Sequence, residues 1–132
     1  MEPERESRVI EERATQNWVG ADGIMRSKIR AGTDFTVEDS KAALCATRTL
    51  VTVLPASVLV DCRGVRTATR ESRLFWESPD AKRTLSAMAM LVGSPVSHMI
   101  VSFFVRLVRP DFKVRSFTSE EDAVRWLREV GR

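Results

Sequence analysis

Two kinds of hydrophobic pattern take turns along this chain. Short runs with no polar alternation stand between longer stretches whose apolar residues recur every three to four positions. The clearest run is Val58-Leu59-Val60, closed by Asp61 and Cys62 and followed by the turn Arg63-Gly64. The second is Leu85 to Val92, with Leu85, Ala87, Ala89 and Leu91 on one side and Ser86, Met88, Met90 and Val92 on the other. A strand that is apolar on both faces is covered on both faces, as helices on a parallel sheet would cover it.

The remaining elements follow from periodicity and punctuation. Ser7 to Val19 reads as one extended segment anchored by Val9 and Trp18, and Ala21-Asp22-Gly23 is a hairpin turn. Ile24 to Arg30 alternates, with Ile24, Arg26, Lys28 and Arg30 on one face and Met25, Ser27 and Ile29 on the other; Gly32 ends it. Thr36 caps a first helix that Pro55 stops, with Ala43, Thr47, Leu50 and Leu54 on its inner stripe. A second helix starts near Thr69 and breaks at Ser78-Pro79. Ser94-Pro95 opens a third helix whose core stripe is Val96, Met99, Ile100, Phe103, Phe104 and Leu107. Phe112 to Phe117 is the last strand, and Thr118-Ser119-Glu120-Glu121 caps a final helix that Gly131 terminates. A hairpin followed by αβαβαβα predicts an α/β fold over residues 1–132: one domain, with a five-stranded, mostly parallel mixed sheet and right-handed crossovers.

This order resembles the anti-sigma-factor antagonist (STAS) fold, also called SpoIIAA-like. Its most specific piece is Val58 to Val65, similar to that family's apolar strand, Asp, short turn and Val before the second helix. The Trp18/Asp22-Gly23-Ile24 hairpin and the Leu91-to-Pro95 turn are similar to those of small uncharacterised bacterial proteins of this fold. Family members that bind anti-sigma kinases carry a phosphorylated Ser in an Asp-Ser-Ser-Gly run at the second helix. Thr69-Arg70-Glu71-Ser72 stands there instead, so the phosphoswitch is not carried over. The resemblance implies a cytoplasmic, non-catalytic regulatory or protein-interaction module.

Composition narrows the chemistry. The chain has 132 residues, enough for a real core without metals or disulfides, and a formal charge of +3. That excess is too small to imply nucleic acid. Cys45 and Cys62, the only cysteines, read as buried small residues in a reducing compartment and make no metal site with the lone His98. No cofactor is expected. The charged start Met1 to Glu6 lacks an apolar signal segment, and no apolar run is long enough to insert in a bilayer, so the expected location is the cytoplasm.

Three constellations are candidate sites. Asp61, Arg63, Gly93, Ser94, Ser97 and His98 belong at the rim beyond the strand ends, where α/β sheets take ligands and helix N-termini favour anions. A small anionic ligand, or an enzyme working around Asp61, Ser94 and His98, is the alternative to the interaction module. Arg66, Arg70 and Arg73, spaced i, i+4, i+7, form one basic face for an acidic protein partner if their segment is helical. Val101, Val105 and Val108 give the third helix a second apolar face, which predicts a homodimer.

Overall fold

The computed structural model describes residues 8–130. Ser7 and the terminator Gly131 therefore lie outside the described residues, as does the charged start at Met1 to Glu6. The antiparallel part holds β1 (Val9–Glu11), β2 (Thr15–Val19) and β3 (Met25–Ile29). Next come a short β4 (Thr33–Phe35), helix α1 (Val37–Leu50), β5 (Ala56–Asp61) and a short β6 (Val65–Ala68). After these follow α2 (Arg70–Leu74), a 3-10 turn over Phe75–Glu77, α3 (Pro79–Thr84) and β7 (Leu85–Leu91). Helix α4 (Pro95–Leu107), β8 (Lys113–Phe117) and α5 (Glu120–Val130) complete the order.

The fold class is the expected mixed α/β one. The main sheet runs β1-β2-β3-β5-β7-β8, antiparallel through β3 and parallel beyond it. It has six strands rather than five, because the first extended segment folds back on itself between Glu11 and Thr15. Arg30, at the end of β3, holds that bend through Glu11 and the carbonyl of Glu12. A second, two-stranded parallel ladder joins β4 to β6.

The two central runs behave as their composition requires. β5 lies between β3 and β7, and β7 between β5 and β8. On one face, Val58, Met88, Met25 and Ile29 meet Leu44 of α1 and Val101 and Phe104 of α4. On the other, Leu59, Ala87 and Ala89 meet Ala123 and Leu127 of α5. Ala87, Ala89 and Ala123 are fully buried, and side chains this small let the helix lie close on the strands. Helix α1 begins as expected at Thr36, whose backbone N–H donates to the Asp39 carboxylate at 2.8 Å.

Cys45 departs from expectation and is exposed. It sits between Leu44 and Ala46 on α1, and both of those are buried. A helix turns about 100° per residue, which puts Cys45 on the solvent side.

Burial on both faces of β5 has a direct consequence. Val58→Asp places an uncompensated carboxylate beside Met25 and Met88, its Cα partners across the ladders. We expect it to cost about 3 kcal/mol or more, read as a lower urea midpoint. An unchanged midpoint would contradict the packing.

Candidate functional site

The strand-end rim is built around Asp61, the last residue of β5. Arg63 donates to it through Nε at 3.0 Å, Nη2 at 2.8 Å and its backbone N–H at 3.0 Å. Burial pushes the Asp61 carboxyl up, but these bonds and the nearby charge of Lys28 outweigh it and hold the group below its ordinary value. The stem of Arg63 crosses Gly93, where a Cβ would come within 2.9 Å of Arg63 Cδ. Glycine is thus what lets the arginine fold back onto Asp61.

On the far side of Gly93, the Ser97 hydroxyl accepts the backbone N–H groups of Gly93 at 3.0 Å and Ser94 at 2.9 Å. The Ser94 hydroxyl in turn accepts the N–H of Ser97 at 3.0 Å. This reciprocal cap closes the start of α4 and buries Ser97 completely. The structure therefore links Asp61, Arg63, Gly93, Ser94 and Ser97 into one chain of contacts, with the hydroxyls of the turn spent on its own backbone. His98 is exposed, and its side chain bonds to none of the described residues.

The basic stripe is not formed. Arg66 lies in β6, not in a helix, and its guanidinium grips Asp34, with Nε at 2.9 Å from Oδ1. Only Arg70 and Arg73 share α2, because the segment before Thr69 pairs with β4 as a strand. The hydroxyls around the start of α2 are engaged. Thr67 donates to Asp34, Thr69 caps α2, and Ser72 is buried and donates to the Thr69 carbonyl.

The apolar face of α4 is turned relative to expectation. Val101, Phe104 and Val108 are buried with Ser97, so Val101 and Val108 are core and not a partner surface. Val96, Met99, Phe103 and Leu107, read as core, are exposed, and Val105 is exposed at 38%. Apolar residues occupy an arc of roughly 240° of this helix at 100° per residue. Periodicity alone cannot choose the inner side of so wide an arc; the Ser94–Ser97 cap and the seat of Phe104 do.

Arg26 is the residue the sequence undersold. Its alternation put it on a half-exposed face, yet it is 4% exposed. Its guanidinium donates to both Asp22 oxygens, at 2.8 and 2.9 Å, and to Glu120 at 3.2 Å. It ties the first hairpin to the start of α5. The Asp22/Arg26 spacing across Asp-Gly was the available signal. A polar recess beside it is lined by Trp18, Lys28, Asp61, Arg63 and Glu120.

Cys62 is buried and donates weakly to the Val60 carbonyl at 3.7 Å; burial pushes its thiol far up. It forms no hydrogen bond with His98. Among the described residues, no group of three His, Cys, Asp or Glu gathers as a metal site, and no helix is long and apolar enough to cross a membrane.

A family model described as a domain of unknown function, DUF7793, matches residues 18–131. No curated protein matches the chain. Among solved structures, an uncharacterised protein of the DUF3478 family with a SpoIIAA-like fold, from Shewanella loihica PV-4, is similar with a TM-score of 0.53 at 12% identity. The alignment covers 92% of this chain and 91% of that one. At that identity the likeness shows the fold, which is the SpoIIAA-like one anticipated from the β5 turn.

Two outcomes follow from these environments. A folded sample should release one equivalent of chromophore from a disulfide thiol reagent, through exposed Cys45, and two only after denaturation; fast reaction of both thiols would refute the burial of Cys62. The second concerns pH. Arg26 holds the Asp22 carboxyl below its ordinary value of 3.8. A carboxyl lowered in the folded state stabilises fully above its unfolded value and loses that contribution as pH falls through the folded one. Denaturant midpoints should thus drop below about pH 4, and Asp22→Asn should lower the plateau at neutral pH while flattening the drop. Parallel profiles would contradict the ion pair.

Proposed function

The chain belongs to the DUF7793 family of domains of unknown function and carries a SpoIIAA-like fold, and from that premise we propose a non-catalytic regulatory module that acts by binding protein, first of all its own copy. The observation behind this reading is the outer face of α4. Val96, Met99, Phe103 and Leu107 are 43%, 66%, 42% and 57% exposed. At 100° per residue they fall within an arc of about 80°, a continuous apolar stripe along the helix. Soluble monomers seldom leave such a stripe in water.

A two-fold contact is the economical cover, since one stripe then buries its own copy. Rigid support favours docking: Val101, Phe104 and Val108 fix the opposite side of the helix in the core. Arg73 lays its guanidinium 4.9 Å over the Phe103 ring and stiffens the edge of the patch. An acidic protein partner is the second reading, favoured by exposed Arg70 on the same helix as Arg73. A non-catalytic role is supported by the rim, where the serines cap their own helix, and by the sequestered Cys62 thiol.

Sedimentation decides between these. The wild type should be a dimer at micromolar concentration. Met99→Glu, at the most exposed position of the stripe, should yield a monomer with an unchanged circular dichroism spectrum and a melting temperature that no longer depends on protein concentration. A wild-type monomer would refute self-pairing.

A further inference from the structure

The apolar stripe on α4 holds one residue with reactive chemistry of its own. Val96, Phe103 and Leu107 are hydrocarbon throughout, but Met99 carries a thioether. At 66% exposed it is also the outermost of the four. Counted at 100° per residue, it stands roughly opposite the mean direction of Val101 and Phe104, which face the core. Met99 thus points away from the sheet, where a second copy docking on the stripe would meet it first.

The other described methionines are placed differently. Met25, Met88 and Met90 are buried in the core between the sheet and helices α1 and α4. Reaction of a thioether with a peroxide follows the exposure of its sulfur, and among the described residues Met99 is the one methionine that offers it. Its unbranched side chain adapts to a packed surface, so the same residue suits an interface and is open to attack when that interface is apart.

We propose that Met99 is an oxidation site that controls self-association; this rests on the pairing through α4 put forward above. The Met99 sulfur attacks one oxygen of a peroxide such as hydrogen peroxide. The S–O bond forms as the O–O bond breaks, and the sulfur gives two electrons to the peroxide. The departing hydroxide takes the proton of the transferred oxygen and leaves as water. The product is a sulfoxide, a polar hydrogen-bond acceptor in a stripe otherwise made of hydrocarbon.

Burial in an apolar contact leaves that acceptor without a donor, at a cost of about tenfold in affinity. A two-fold contact contains Met99 twice, so oxidation of both copies weakens association about 100-fold. The coupling is reciprocal: pairing covers the sulfur and slows its oxidation. Sulfoxide formation on methionine is reversed by methionine sulfoxide reductases, so the switch resets.

The test uses the full chain with Cys45→Ser, which removes the exposed thiol as a second target of peroxide. Hydrogen peroxide should turn the dimer into a monomer in sedimentation. Peptide mass spectrometry should place one added oxygen on Met99 and none on Met25, Met88 or Met90. The circular dichroism spectrum should not change, and the two methionine sulfoxide reductases, one for each epimer, should restore the dimer. Oxidation of Met99 should slow as protein concentration rises through the association range. Met99→Leu, which has no thioether, should show no response to peroxide; if that variant is itself monomeric, the reductase reversal decides. A monomeric untreated chain would overturn pairing through α4 and the switch with it. A dimer that persists with Met99 oxidised would overturn the switch alone, as would an oxidation rate independent of protein concentration.

Discussion

Most side chains of the paired strands β5 and β7 are buried, on both faces of the sheet, and the rest of the structure answers to that constraint. Their backbone groups are satisfied by parallel ladders to β3 and β8 and to each other, and their side chains demand cover above and below. The two covers are built differently. Beneath α5, alanines at 87, 89 and 123 let helix and sheet lie close. Beneath α1, α2 and α4, larger and more varied side chains, among them Met88, Met90, Phe104 and Trp76, leave space. The first face leaves a polar recess at the Arg26–Glu120 edge, the second an apolar gap beneath Phe104.

Charge fastens the tight face. α5 contributes few buried residues, yet its first turn is held by Glu120 on Arg26, which Asp22 also grips. Burying an arginine is tolerable only because two carboxylates flank it. The same logic operates at the strand-end rim, where Arg63 closes on Asp61 over Gly93. Such internally matched pairs orient elements and leave little free potential for a ligand.

Helix α4 serves both readings of function. Its apolar arc is wider than one sheet face can cover, so part of it is core, part lines the cavity and part meets solvent. Val101 and Phe104 belong to the first two at once, and Met99 and Leu107 to the last.

Much of this was legible in the chain. The both-faced apolar character of Val58–Val60 and Leu85–Leu91, the Asp-Gly and Ser-Pro punctuation and the inner stripe of α5 are local signals, and local sterics and periodicity determine them. The cap at the start of α4 was equally readable, from Ser94 followed by Pro95. What tertiary structure decided was everything that depends on which neighbour arrives. The bend between Glu11 and Thr15 needed Arg30 from another strand. Arg66 became a strand residue because β4 came alongside. Arg26 was buried by Glu120, 94 positions away. The phase of α4 was undetermined by its composition, since a helix apolar over most of its circumference can turn several faces inward with similar gain in burial. The shape of the sheet beneath it and the cap at its start chose one.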